Sequence, residues 1–113
     1  MKSKILALSK NQEFKSLLKQ NKITNKYVTI FFGNLSGKNK KMFNISFVTK
    51  KKIGNAAKRN KIKRRLRNIA NDAFKKISLK LDYSYLVIAK PTMLNNDYTN
   101  IKEILFQELK KIR

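Results

Sequence analysis

The chain has no cysteine and no histidine, one proline and three glycines in 113 residues. The first two absences exclude disulfides, thiolate metal sites, nucleophile–base pairs built on Cys or His, and the usual switch near neutral pH. A cysteine-free chain suits a reducing cytoplasm, the location expected here, although the absence fits an oxidising compartment equally. Acids are scarce too: Glu13, Asp72, Asp82, Asp97, Glu103 and Glu108 face 28 lysines and arginines, for a formal charge of +22. Scattered along the chain, they show no metal-ligand spacing and no acid–base pair, so no catalytic residue and no protein-bound metal are expected. No apolar run approaches the ~18 residues that span a bilayer. The opening MKSKILALSKNQEF has too short an apolar stretch for a signal peptide.

What is present is a foldable core under a heavy charge. A hydrophobic content of 42% with 10% aromatics argues against disorder. The length fits one domain over residues 1–113. Self-repulsion at this charge disfavours compactness unless a polyanion offsets it, which points to nucleic acid first and an anionic membrane second.

Ser9 and Gln12 have capping-box spacing, with Asn11 as a competing cap, and Phe14, Leu17 and Leu18 share a face of a short helix to about Gln20. Tyr27–Phe32 alternates, with Val28, Ile30 and Phe32 opposite Tyr27, Thr29 and Phe31. Met42–Val48 alternates again, and the two strands are expected to form an antiparallel hairpin across the turn-rich 33–38 connector. Ile62, Leu66, Ile69, Ala70, Ala73, Phe74 and Ile77 form one stripe of a long helix. Tyr85–Ala89 is apolar throughout, as in a strand buried on both faces. Pro91 ends it, and Ile101, Ile104, Leu105, Leu109 and Ile112 predict a final amphipathic helix. The order helix, strand, strand, long helix, strand, helix is an α+β sandwich, in which the strands flanking the long helix run parallel.

The densest signal is Lys50–Arg67, with ten basic residues in eighteen positions and four of the chain's five arginines, Arg59, Arg64, Arg65 and Arg67. Asn55 is a good N-cap, and Gly54 permits a turn closed to other residues. Lys58 and Arg59 in the first turn oppose the helix dipole, at a cost of ~0.3–1 kcal/mol each. A local rule broken in this way marks a functional site. Arginine forks bind phosphate bidentately, which lysine cannot do, and free N–H groups at the helix start favour anions.

The run Lys51-Lys52-Ile53-Gly54-Asn55-Ala56-Ala57-Lys58-Arg59-Asn60-Lys61-Ile62-Lys63-Arg64-Arg65-Leu66-Arg67 resembles the signature of the bacterial ribonuclease P protein component. Asn11 and Phe14, the strand order, Tyr85–Ala89 followed by Lys90-Pro91, and the last helix extend the resemblance. Lys61 stands where the family shows a second arginine, and Lys50–Lys52 supply three lysines where it shows two. The resemblance implies a ribosomal protein S5 domain 2-like fold with a left-handed βαβ crossover. It implies an endoribonuclease whose RNA subunit, using Mg²⁺, removes the 5′ leader of precursor tRNA while the protein binds and positions. Lys58, Arg59, Asn60, Lys61, Lys63, Arg64, Arg65 and Arg67 would then face the ribonuclease P RNA. A cleft between the first helix and the sheet would hold the leader, with Phe14, Leu18, Tyr27, Phe31, Phe43 and Phe47 as stacking candidates and Lys50, Lys51 and Lys52 at its rim. Neither a membrane nor a protein oligomer is required. Another basic RNA-binding protein, such as a ribosomal protein or RNA chaperone, shares the composition but not this spacing.

Overall fold

A mixed sheet with helices on both faces organises the computed structural model, which describes residues 5–6, 11–35, 43–77, 79, 81–95 and 97–112. The strands are β1 (Ile5–Leu6), β2 (Asn21–Thr24), β3 (Val28–Gly33), β4 (Phe43–Val48) and β5 (Ser84–Ala89). The helices are α1 (Asn11–Leu18), α2 (Ala56–Lys76) and α3 (Tyr98–Lys111), with 3₁₀ turns at Lys51–Ile53 and Pro91–Asn95. The spatial order is β1-β4-β5-β3-β2. As the sequence predicts, β4 and β5 run parallel on either side of α2.

The expected hairpin of β3 and β4 does not form. β5 lies between them, antiparallel to β3 and parallel to β4. A strand apolar on both faces belongs inside the sheet, and that demand overrides sequence proximity. The partner that β3 does find in a hairpin is β2, paired from Asn21 opposite Phe32 to Thr24 opposite Thr29. β2 carries the polar sequence Asn-Lys-Ile-Thr, which has no strand signature of its own. The Asn25 side chain sets the turn, its Oδ1 accepting from the Tyr27 and Val28 N–H groups at 2.8 and 3.0 Å. α1 begins at Asn11, so Asn11 is helical rather than a cap; the Ser9 cap, residues 36–38 of the expected connector and Met42 lie outside the described residues.

The two sheet faces have different covers. Val28, Ile30, Phe43, Ile45, Tyr85, Val87 and Ala89 meet Ile62, Leu66, Ile69, Ala70 and Ala73 of α2 and Ile101, Leu105 and Leu109 of α3 in the main core. Phe43 packs edge-on against Tyr85 at 5.2 Å. On the opposite face, Leu17 of α1 is fully buried on Leu86, with Phe14, Phe31, Val48 and Ile88 packed around them. Gly33 leaves room for the turn after α1: a Cβ there would collide with the Gln20 side chain, whose Nε2 donates to the Asn34 carbonyl at 3.3 Å.

The start of α2 is built in three steps. The 3₁₀ turn closes through Ile53 N–H to the Lys50 carbonyl at 3.0 Å, and Ile53 is buried as its anchor. Gly54 then takes φ 154° and ψ −164°, a region that side chains other than glycine's strain to enter. Asn55 caps the helix, its Oδ1 accepting from the Lys58 N–H at 3.0 Å. At the other end, the Lys102 ammonium of α3 bonds the Asp72 carboxylate of α2 at 2.6 Å. That hydrogen bond holds the Asp72 carboxyl below the usual carboxylate range and raises the Lys102 ammonium.

Two outcomes follow from these joints. Gly54→Ala should lower stability by about 1–3 kcal/mol, read by denaturant unfolding; an unchanged midpoint would show the turn to be unstrained. Asp72, with its pKa lowered, contributes stability above its ordinary value of 3.8 and loses it as pH falls through the lowered value. Lys102, with its pKa raised from 10.5, contributes below that value and loses it as pH rises through the higher one. Acidification from about pH 5 to about pH 3 should therefore cost the wild type more Tm than Asp72→Asn. Equal losses would mean that the bridge adds no pH-dependent stability.

Candidate nucleic-acid interface

α2 buries Ile62, Leu66, Ile69, Ala70 and Ala73 along one stripe, and its cations divide around what remains. At 3.6 residues per turn, Asn60, Arg64 and Asn68 stand opposite that stripe, and all three are exposed. Arg59, Lys63 and Arg67 descend one flank at i, i+4, i+8 spacing; the first two are half-buried and Arg67 is exposed. Lys58, Lys61 and Arg65 lie toward the other flank, which also carries Asp72 and so faces α3 through the Lys102 bridge. The eight basic and polar positions read from the sequence therefore wrap the helix in three rows rather than forming one face. The Arg59 Nε is buried with no hydrogen-bond partner among the described residues, a donor that is costly to leave unpaired.

No acid occupies the first turn of α2, so its cations are not neutralised along their own helix there. Asp72, nearly four turns further on, is the only acid in the helix and is already engaged with Lys102. The arrangement is a rigid rod, anchored by an apolar back and presenting guanidinium forks at fixed spacing, which suits phosphates held in a defined geometry.

The second candidate surface is the sheet face under α1. Phe14 and Phe31 lie there, half-buried around Leu17 and Leu86. Leu18 is 49% exposed on the turn after Phe14. Tyr27, Phe43 and Phe47 do not belong to this face; they pack in the main core under α2 and α3. For Phe43 and Phe47 the reason is strand parity, since they share a side of β4 with Ile45. Tyr27 precedes β3, and the Asn25 turn takes it out of the strand's alternation, so its ring is 3% exposed in the main core. Lys50, Lys51 and Lys52 are exposed at the exit of β4. Lys50 and Lys52 line an open recess of about 200 Å³ together with Thr29, Ile88 and Lys90.

Sequence reasoning missed the role of Lys90. Its Nζ donates to the Asn25 carbonyl at 2.5 Å and to Thr24 Oγ1 at 2.9 Å, tying the end of β5 to the β2–β3 turn. The sole available signal was a lysine set between a buried strand and the chain's one proline.

Among the described residues no helix is long and apolar enough to cross a membrane, and no three of His, Cys, Asp or Glu lie together. The ribonuclease P family model matches residues 3–113. The ribonuclease P protein component of Mesoplasma florum is 35% identical, covering 92% of this chain and 92% of that one. That of Ligilactobacillus salivarius is 34% identical, covering 91% and 88%. The solved structure of the Staphylococcus aureus RNase P protein superposes with a TM-score of 0.74 at 27% identity, covering 94% of this chain and 93% of that one. With the basic helix, the α+β fold and these relatives in agreement, the chain belongs to the ribonuclease P protein component family, the protein part of an endoribonuclease holoenzyme.

Proposed function

We propose that α2 grips the catalytic RNA of ribonuclease P while the α1-covered sheet face holds the 5′ leader of precursor tRNA. The RNA and its Mg²⁺ ions then cut the leader away, in the cytoplasm. The observation that carries this reading is that the guanidinium rows and the Phe14–Phe31 patch belong to opposite faces of one sheet. Two strands of RNA can engage such a molecule at once without competing. Arg64, on the outward row, and Arg67, exposed at the end of its flank, contact phosphates of the catalytic RNA. Arg59 presents its guanidinium beside the sheet, where its unpaired Nε finds an acceptor. Lys61, in place of a fork, adds charge without bidentate geometry. On the leader side, stacking falls to Phe14 and Phe31, with Leu18 adding apolar contact and Lys50–Lys52 meeting phosphates.

The protein contributes positioning, and the chemistry belongs to the RNA. Added to a cognate ribonuclease P RNA at low Mg²⁺, it should stimulate 5′ processing of precursor tRNA; a correctly folded RNA that shows no stimulation would sink the assignment. Phe14→Ala should weaken leader binding by about 1–3 kcal/mol, the worth of one stacked base. Phe43→Ala should instead cost roughly 3–5 kcal/mol of stability, with no leader-specific loss at matched folded fraction. A leader-specific defect in Phe43→Ala alone would place the cleft on the wrong face. If the protein neutralises about five phosphates, log K for the catalytic RNA should fall against log salt with a slope of about −3.5 to −4.5; a slope near zero would count against phosphate gripping.

A further inference from the structure

The positive charge of the chain is not spread evenly. Residues 97–112, which hold α3, carry three acids, Asp97, Glu103 and Glu108, against three lysines, Lys102, Lys110 and Lys111. That segment is formally neutral, and the whole excess of +22 lies outside it. The neighbouring α2 carries nine cations and one acid. That acid, Asp72, bonds Lys102 of α3 at 2.6 Å. Four of the six acids in the sequence are therefore on α3, at its cap or bonded to it.

Two of the α3 lysines are paired as well. Lys102 meets Asp72 and lies over the Phe106 ring at 5.6 Å, and Lys111 bonds Glu108 at 3.3 Å. At 3.6 residues per turn, Glu103 stands opposite the buried stripe of Ile101, Leu105, Glu108 and Leu109. Thr99, Gln107 and Lys110 stand beside it, and all four outward residues are exposed. Nothing in the fold accounts for an acid at position 103. The residues three and four away are Thr99, Asn100, Phe106 and Gln107, so no helical ion pair uses it. It lies beyond the first turn, where the helix dipole favours acids. It makes no side-chain hydrogen bond or ion pair among the described residues. Asp97, just before the helix, is exposed and makes no side-chain capping bond either.

A chain with this much charge attracts RNA to every basic face, and that attraction is blind to sequence. Ordered assembly needs RNA on two faces only. Selectivity between arrangements is a difference of affinities, and a like charge on the wrong face widens it. We propose that the outer face of α3 excludes RNA, with Glu103 as the residue that enforces the exclusion and Asp97 extending it to the helix start. The Asp72–Lys102 and Glu108–Lys111 pairs act in the same direction, since each offsets a cation that would otherwise draw phosphate. The proposal rests on the reading of α2 and the α1-covered face as the RNA surfaces, and it adds a residue that confines RNA to them. Glu103 acts by repulsion and touches no RNA, so α3 looks outward from the assembled holoenzyme.

The test compares Glu103→Lys with the wild type on two RNAs, the cognate ribonuclease P RNA and an unstructured RNA of equal length. Affinity for the unstructured RNA should rise about threefold, the size of one exposed charge contact. Its log K should also steepen against log salt by about 0.7, one further phosphate on a single strand. Affinity for the cognate RNA should rise less, so the ratio between the two falls. Glu103→Gln, the milder variant, should move the ratio the same way by a smaller step. Asp82→Lys makes the same change of charge off α3 and should leave the ratio where it was. An unchanged ratio in Glu103→Lys, or an equal fall in Asp82→Lys, overturns the proposal. Position is read by a hydroxyl-radical reagent tethered at Gln107→Cys, one turn from Glu103. In the assembled holoenzyme with precursor tRNA it should cut neither RNA, and cuts in either would also overturn the proposal. Arg64→Ala, measured alongside, should weaken the cognate RNA whatever α3 does; loss of that effect overturns the α2 reading itself.

Discussion

A strand that is apolar on both faces needs a cover on each side and a partner at each edge, and β5 has all four. Tyr85, Val87 and Ala89 point into the core with α2 and α3, while Leu86 and Ile88 point toward α1. Its edges bond β3 and β4. This one strand decides that β3 and β4 are separated, that α2 runs as a crossover, and that α1 has an apolar surface to rest on. The two candidate RNA surfaces inherit their separation from it, because each is built on the cover of a different β5 face.

The charge distribution makes sense on that frame. A formal charge of +22 is unfavourable for a compact molecule. The described cations mostly ring the core, outside it. Where the structure needs a joint between α2 and α3, it uses one of its six acids, Asp72, against Lys102. Where the sequence breaks the helix-dipole rule, at Lys58 and Arg59, the Gly54–Asn55 turn holds the helix start open all the same. A local rule broken in this way is a mark of a site kept for binding rather than for stability.

Much of this was legible from residue patterns. The buried stripe of α2, the Asn55 cap, the parallel β4–α2–β5 unit and the two-faced burial of β5 follow from periodicity and end signals. The β2–β3 hairpin did not, because Asn21–Thr24 is a polar edge whose strand state comes from β3 and the Asn25 turn. Nor did the assignment of aromatics to faces. Alternation tells which residues share a side of a strand, but not which side receives α1 and which receives α2. Phe31 and Phe47 look alike in sequence and are separated by the sheet. Lys90 was hidden for a related reason: its partners, Thr24 and Asn25, lie in a segment whose strand could not be read. The family resemblance carried the function, and the structure sorted the residues.

The central claim is that two RNA strands meet opposite faces of one sheet. The chain has no cysteine, so a single introduced thiol gives an unambiguous address. A hydroxyl-radical cleavage reagent tethered at Leu18→Cys, on the exposed turn of α1, and at Asn68→Cys, on the outward row of α2, should be compared in the assembled holoenzyme with precursor tRNA. The account predicts cuts in the 5′ leader from position 18 and cuts in the catalytic RNA from position 68. Cuts from both positions in the same RNA segment would contradict it.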